Sequence, residues 1–332
     1  MASIKDIAQE LGISSTTVSL VLTGKYHNGR ISKAMVDKVL HTANKMNYHP
    51  NIIAKSLKSG STKSVGLIVA DITNPYFAQL VFVIQNYLLK FGYTTIIMNT
   101  NENVNQMENT ITMLHDRRVD GFIIVPTFGG DRHIKNLIRQ GYSLVLMDRF
   151  YPEIESCSVM SDNYLAIHNS VDRLVESNAS GRIYYVSITN NMVQVSERLR
   201  GYREAMENRG LLREEDIYLV DYDSPQNQLE LAIDNILTSA TNNDTIIFAI
   251  NRLSTIGAKI LMSRGIEIGR DIKVVYFDKT NTFDLLPYPT PHITQPIEQI
   301  GTLSAKLLLQ QLNKEESFKA QTHLLPCSLH NF

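Results

Sequence analysis

Apolar residues in the first fifty positions fall at helical spacing. Ile4, Ile7, Ala8 and Leu11 recur at i, i+3, i+4 and i+7, which predicts a short helix with one apolar stripe. Gly12 offers the permissive backbone that ends it and turns the chain. Ser14 and Ser15 are good N-cap residues for a second helix, buried through Val18, Val21 and Leu22. After a polar segment, Ser32 is the N-cap expected for a third helix with Met35, Val39, Ala43 and Met46 as its stripe. Three short helices can enclose a small core, so residues 1–47 read as an independent module. Two helices joined by a glycine turn fit an ordinary αα-hairpin and a helix-turn-helix equally well, and the pattern alone leaves both open.

Residues 48–60 read as a linker. Pro50 stops the third helix, and Asn51 can cap about two further turns before Gly60, with Ile53 and Leu57 on one face. A helix this short does not hold in water without tertiary support, so it is expected to fold only against a partner.

From Val65 the pattern changes to continuous apolar runs alternating with helical stretches. Strands are expected at 65–70, 95–98, 121–125 and 144–147, and in a second series at 183–188, 217–220, 245–250 and 273–277. Helices fall between them, near 77–91, 104–117, 131–140, 163–177, 197–209, 226–239 and 253–264. Val/Ile-rich runs alternating with helices imply parallel sheets covered on both faces. The expectation is an all-α head, a hinge helix and an α/β core of two doubly wound parallel-sheet lobes. One lobe takes about 61–162 plus 293–321 and the other about 163–292 plus 322–332, with a last helix near 296–313 and a final strand over 322–329.

Ligands of such sheets sit at the carboxyl ends of the strands. Here those ends carry Asp, Asn and Arg, bordered by Tyr76, Phe77, Phe128 and Phe150. Bidentate polar side chains with aromatic faces suit a polyhydroxylated ligand.

Charge sharpens the division. The 332 residues carry a net −1. Residues 1–60 hold eight Lys/Arg against three acids, leaving 24 basic against 30 acidic residues for the remainder. A small basic head followed by an acidic body is the pattern of a nucleic-acid-binding module fused to something else. No run of about 18 apolar residues predicts a membrane span, and without an apolar signal region the expected location is cytoplasmic. Cys157 and Cys327 cannot form a disulfide framework or a multi-cysteine metal site, and the nine histidines are scattered without metal-ligand spacing. Phosphate-loop, dinucleotide and nucleophile-elbow signatures are missing. No catalytic residue, cofactor or metal is expected, and an enzyme is disfavoured.

In order along nearly the whole chain come Ile4-Lys5-Asp6-Ile7-Ala8, Gly12-Ile13-Ser14, Thr17-Val18-Ser19, Tyr48-His49-Pro50-Asn51, Ser56-Leu57, Gly66-Leu67-Ile68-Val69 and Asp71-Ile72-Thr73-Asn74-Pro75-Tyr76-Phe77. Arg118-Val119-Asp120-Gly121, Asp148-Arg149, Asp162-Asn163, Arg198 before Gly201-Tyr202, Gly257-Ala258, Phe277-Asp278 and Gln295-Pro296 follow. This series resembles the lactose/galactose-repressor family of bacterial transcription regulators. The resemblance implies a homodimer that binds a palindromic double-stranded operator, with a core similar to periplasmic sugar-binding proteins and a small sugar-like effector controlling DNA affinity. It implies base reading by Ser15, Thr16 and Leu20 after the cap Ser14, and phosphate contacts from Thr17, Ser19 and Thr23. Ile4 and Lys5 open the first helix, whose amides can also meet a phosphate. Leu57 matches a minor-groove wedge, with Asn51, Ala54 and Lys58 in the same hinge. Effector contacts fall on Asn74, Tyr76, Phe77, Asp148, Gln194, Arg198, Asn251 and Asp278.

Two positions depart from the family's pattern. Leu20 stands where Arg or Lys is frequent and cannot make a bidentate pair with guanine, so it either contacts a thymine methyl or turns inward. Arg252 stands where an Asp commonly follows Asn and brings an extra cation near the cleft, which fits a sugar acid or phosphorylated sugar unless Arg252 is solvated or ion-paired, the reading favoured here. No heptad tail follows the last strand, which favours a dimer over a tetramer. A cytoplasmic solute-binding protein without DNA function is the alternative, and the basic helical head argues against it.

Overall fold

The computed structural model describes residues 2–26, 31–49, 60–177, 181–189, 192–222, 224–278, 283, 287–315 and 319–332. The chain forms two compact units, Met1–Thr62 and Lys63–Phe332.

The first unit contains α1 (Ile4–Leu11), α2 (Ser15–Leu22) and α3 (Lys33–Lys45). Each begins on a serine. Ser3 accepts from the Asp6 amide while the Asp6 carboxylate accepts from the Ser3 amide at 2.8 Å, a reciprocal capping box. Ser14 accepts from the Thr17 amide at 3.1 Å, and Ser32 from that of Met35 at 3.3 Å. Gly12, at φ +65°, closes α1 in the left-handed conformation. The core is Ile7, Ala8, Val18, Val21, Val36, Val39 and Ala43. The expected stripe of α3 is shifted by one place at its start: Val36 is fully in the core, while Met35 and Met46 pack at its margin. The expected hinge helix and the residues named on it, Asn51, Ala54, Leu57 and Lys58, lie outside the described residues.

The second unit has two lobes. In the first, β1 (Ser64–Val69), β2 (Thr94–Asn99), β3 (Gly121–Ile124), β4 (Ser143–Met147) and β5 (Cys157–Ser161) alternate with α4 (Pro75–Lys90), α5 (Val104–Asp116) and α6 (Asp131–Arg139). The second lobe opens with α7 (Asn163–Ser177), β6 (Ile183–Ile188), α8 (Val193–Glu207), β7 (Ile217–Val220) and α9 (Pro225–Leu237). It continues through β8 (Thr245–Phe248), α10 (Asn251–Ser263), β9 (Lys273–Phe277) and β10 (His292–Thr294). Then α11 (Ile297–Leu312) and β11 (Thr322–Leu325) return to the first lobe, and β12 (Ser328–His330) ends in the second. The sheet orders are β11-β5-β4-β3-β1-β2 and β12-β10-β9-β8-β6-β7. The central strands β3, β6 and β8 are buried along their whole length, as sheets covered on both faces require.

Three expectations need correction. The final strand expected over 322–329 is two strands: β11 pairs parallel with β5 in the first sheet, while β12 runs antiparallel to β10 in the second. Pro326 lies between them and has no amide to continue a ladder. The expected lobe boundaries shift accordingly, because 322–325 belong to the first sheet and residues 293 and 294 to the second. β5 itself escaped the apolar reading, since Ser158 and Ser161 interrupt its run; both are nevertheless buried, and Ser161 Oγ donates to Gln295 Oε1 at 2.7 Å. Among the described residues, the chain therefore passes between the lobes three times.

Gly201 brings α7 and α8 together. A β-carbon there would sit 2.4 Å from the Tyr164 carbonyl oxygen, which is backbone and cannot move aside cheaply. Gly201→Ala is expected to destabilise the core unit by about 1–3 kcal/mol in denaturant melts, despite the better helix propensity of alanine. An unchanged or raised midpoint would show that the two helices can separate freely.

Candidate effector cleft and nucleic-acid interface

The carboxyl ends of both sheets face a cavity of about 780 Å³ between the lobes of the second unit. All eight residues expected there line it: Asn74, Tyr76, Phe77 and Asp148 from the first lobe, Gln194, Arg198, Asn251 and Asp278 from the second. Asp148 follows β4 and Asp278 follows β9, at φ +71° and +68°. Their amides donate to Val159 and Ile293 carbonyls at 2.9 Å. The two lobes thus each aim one carboxylate from an equivalent strand end. Tyr76 and Phe77 ride the first turn of α4, which Asn74 caps by accepting from the Tyr76 amide at 3.1 Å. Asn251 Nδ2 donates to the same Asn74 Oδ1 at 2.9 Å, a hydrogen bond from one lobe to the other.

Arg198, on α8, is buried and fixed. Its Nε donates to Asn163 Oδ1 and its Nη1 to the Ala249 carbonyl, both at 2.7 Å. Its guanidinium lies 3.5 Å above the Phe277 ring centre, a cation–π contact strengthened by burial. Burial raises Asp278 to about 6 and the Asp148 charge adds to this, against the opposing effects of Arg198 and of the 2.8 Å hydrogen bond from Gln295 Nε2. Burial, followed by the charges of Asp148 and Asp278, also pushes the Tyr76 phenol up. The Tyr76 hydroxyl engages the Asp148 carboxylate, while Gln194 Oε1 is buried with no hydrogen-bond partner among the described residues. Buried polar atoms need partners, and a bound molecule with hydroxyl groups would supply them.

Phe128 and Phe150, expected at the border, do not line the cavity. Phe128 is exposed, while Phe150 packs against the apolar cluster of Phe122 and Ile134. The cavity instead takes Tyr222, Met192, Glu102, Arg149 and Gln295. Arg149 and Gln295 belong to the motifs Asp148-Arg149 and Gln295-Pro296 of the sequence, but Glu102 carried no signal: it meets Arg149 only in three dimensions, 47 positions away. Arg252 reaches the rim and donates to the Tyr222 carbonyl at 3.2 Å.

On the helical head, Ser15, Thr16 and Leu20 share the exposed side of α2, and Leu20 keeps 37% of its surface in solvent. It does not turn inward. Lys5, Ser14 and Thr23 are exposed, and Ile4, Thr17 and Ser19 half-buried. The Thr23 hydroxyl donates to the Ser19 carbonyl at 2.7 Å.

A helix-turn-helix followed in the chain by a two-lobed ligand-binding core defines a ligand-controlled transcription regulator. Residues 3–51 match the model described as "Bacterial regulatory proteins, lacI family", and residues 62–330 match that of "Periplasmic binding proteins and sugar binding domain of LacI family". The HTH-type transcriptional repressor PurR of Photobacterium profundum is 29% identical, covering 94% of this chain and 92% of its own. Catabolite control protein A of Priestia megaterium is 25% identical, covering 94% and 93%. The solved lac repressor dimer bound to operator and the anti-inducer ONPF shares the fold, with a TM-score of 0.84 at 20% identity over 99% and 97% of the two chains. The chain belongs to the lacI family of bacterial regulatory proteins. It is a ligand-regulated transcriptional repressor that binds operator DNA and a small-molecule effector, not an enzyme. Among the described residues, no helix is long and apolar enough to cross a membrane.

Proposed function

We propose that the effector is carbohydrate-like and binds in the interlobe cleft, and that the protein acts in the cytoplasm as a homodimer on a palindromic operator. The carrying observation is the pair of carboxylates, Asp148 and Asp278, beside the fixed Arg198, the Tyr76 hydroxyl that engages Asp148, and Gln194 Oε1, which has no hydrogen-bond partner among the described residues. Such groups satisfy adjacent ring hydroxyls in pairs, with Phe77 and Tyr76 as apolar faces. The sugar-binding description of the matching family model supports the same reading. For the dimer, α4 leaves Phe82 and Leu89 67% and 65% exposed, an apolar face suited to a second copy. Base contacts are assigned to Ser15, Thr16 and Leu20, and phosphate contacts to Ile4, Lys5, Thr17, Ser19 and Thr23.

A panel of neutral sugars tested by thermal shift, followed by operator titration with each stabilising sugar, tests this reading. A sugar that raises the melting temperature and changes operator affinity supports it. Stabilisation by another ligand class alone would overturn it.

In the proposed mechanism Leu57 enters the minor groove of the operator. Effector binding changes the relation of the lobes and shifts operator affinity by a coupling free energy of about 1–3 kcal/mol. Leu57→Ala is then expected to weaken specific operator binding by about 1.5–3 kcal/mol, the burial free energy of a leucine side chain, and to spare non-specific binding. A footprinting titration with unchanged operator affinity would remove the wedge.

A further inference from the structure

Among the described residues, seven charged side chains line the cleft: carboxylates of Asp71, Glu102, Asp148 and Asp278, and guanidinium groups of Arg149, Arg198 and Arg252. Bidentate capture of an anion needs a guanidinium with donors to spare. Arg149 has few. Its Nη1 and Nη2 donate to Glu102 Oε2 and Oε1 at 2.9 and 2.8 Å, a bidentate pair, and its Nε points to Asp148 Oδ2 at 3.4 Å. The two side chains keep only 6% and 17% of their surface in solvent. Arg198 spends its Nε and one Nη on Asn163 and Ala249. Arg252 is exposed at the rim, where water and salt screen it.

The backbone that delivers Glu102 is unusual. Asn101 and Glu102 are consecutive left-handed residues, at φ +51° and +56°, a conformation L side chains adopt reluctantly. The turn is pinned by hydrogen bonds from the Thr100 and Asn101 amides to Val69 and Ala70 carbonyls at 3.0 and 2.8 Å, and from Gln106 Nε2 to the Asn99 carbonyl at 3.0 Å. Strain of this kind persists where the surroundings over-determine it and concentrates at ligand sites. A buried ion pair is a poor source of net stability, because desolvation offsets its attraction. Its place against the cleft gives it another use.

We infer that Glu102 sets the charge selectivity of the cleft: by occupying Arg149 through both carboxylate oxygens, it closes the first lobe's anion receptor and restricts the effector to uncharged, hydroxyl-rich molecules. Phosphate esters and sugar acids then find only the donors that Arg198 keeps free and bind weakly. This deepens the carbohydrate reading and rests on it for the identity of the ligand, but the behaviour of Arg149 is measurable without knowing the effector. Glu102 acts through Arg149 and is a specificity-determining residue.

The test is isothermal titration of the full chain with inorganic phosphate and with glucose 6-phosphate at fixed ionic strength. It compares the wild type, Glu102→Gln, and the double variant Glu102→Gln with Arg149→Met. The wild type is expected to bind both anions weakly. Glu102→Gln is expected to bind them about tenfold more tightly or better, as one freed charge-assisted contact provides, and the double variant to lose the gain. Wild-type binding as tight as that of the variant, no gain in Glu102→Gln, or a gain that survives loss of Arg149 would each overturn the inference. Anions bound by the basic head are common to all three proteins and cancel. Should neutral sugars fail to stabilise the wild type while the Glu102→Gln gain still appears, the carbohydrate reading alone falls. Melting curves of the three proteins confirm that each is folded.

Discussion

Arg198→Ala is expected to abolish the effector response while leaving operator binding intact. Arg198 projects from α8 into the cleft with its plane set by Asn163, the Ala249 carbonyl and the Phe277 ring. A guanidinium held in this way presents its remaining N–H groups to a ligand at no further ordering cost. Hydrogen bonds to a charged group are each worth about 1.5–3 kcal/mol, so effector affinity should fall roughly 100-fold. Truncation also strands Asn163 Oδ1 and the Ala249 carbonyl, at about 1–3 kcal/mol each, and the core unit should melt earlier. Arg198→Lys separates the two effects, because it keeps the charge but not the planar fork: stability should partly return and affinity should not. The head has its own apolar core in Ile7, Val18, Val21 and Val39, so operator binding without effector should match wild type. An unchanged effector midpoint in calorimetry would remove Arg198 from the site.

The second large effect is with pH. Asp278 is raised to about 6, chiefly by burial. A carboxyl whose pKa is higher in the folded state than unfolded costs stability when ionised. That cost is present above about pH 6 and is relieved as pH falls from there towards the unfolded value near 4. Taking the apo protein from pH 7 to pH 5 should therefore add about 1 kcal/mol from this group alone. Effector binding should move the opposite way. A hydroxyl donating to Asp278 needs the carboxylate, so affinity should fall about tenfold per unit below pH 6. The wild-type minus Asp278→Asn difference in apo melting temperature, followed from pH 5 to 8, isolates the first effect. Identical pH profiles for the two proteins would show that Asp278 titrates in its ordinary range.

Arg198 and Asp278 were both legible in the sequence through their neighbours, Gly201-Tyr202 and Phe277. The strands were legible wherever their apolar runs were unbroken, as in Ile183–Ile188 and Lys273–Phe277. β5 was not, because its buried serines find partners that only the folded chain provides. The division of the last strand was not, because one proline decided it and the two halves pair with different sheets.

The sequence by itself determined the helical head, from apolar spacing, serine caps and Gly12, and the alternation that builds two parallel lobes. These depend on interactions within a few residues or on burial of whole runs, which composition records. Only the tertiary structure decided how Glu102 engages Arg149, which aromatic residues face the cleft, and that Asn74 and Asn251 meet across it. The first and last of these join side chains 47 and 177 positions apart. Such contacts arise from the stacking of strand ends, and no local pattern of residues encodes them.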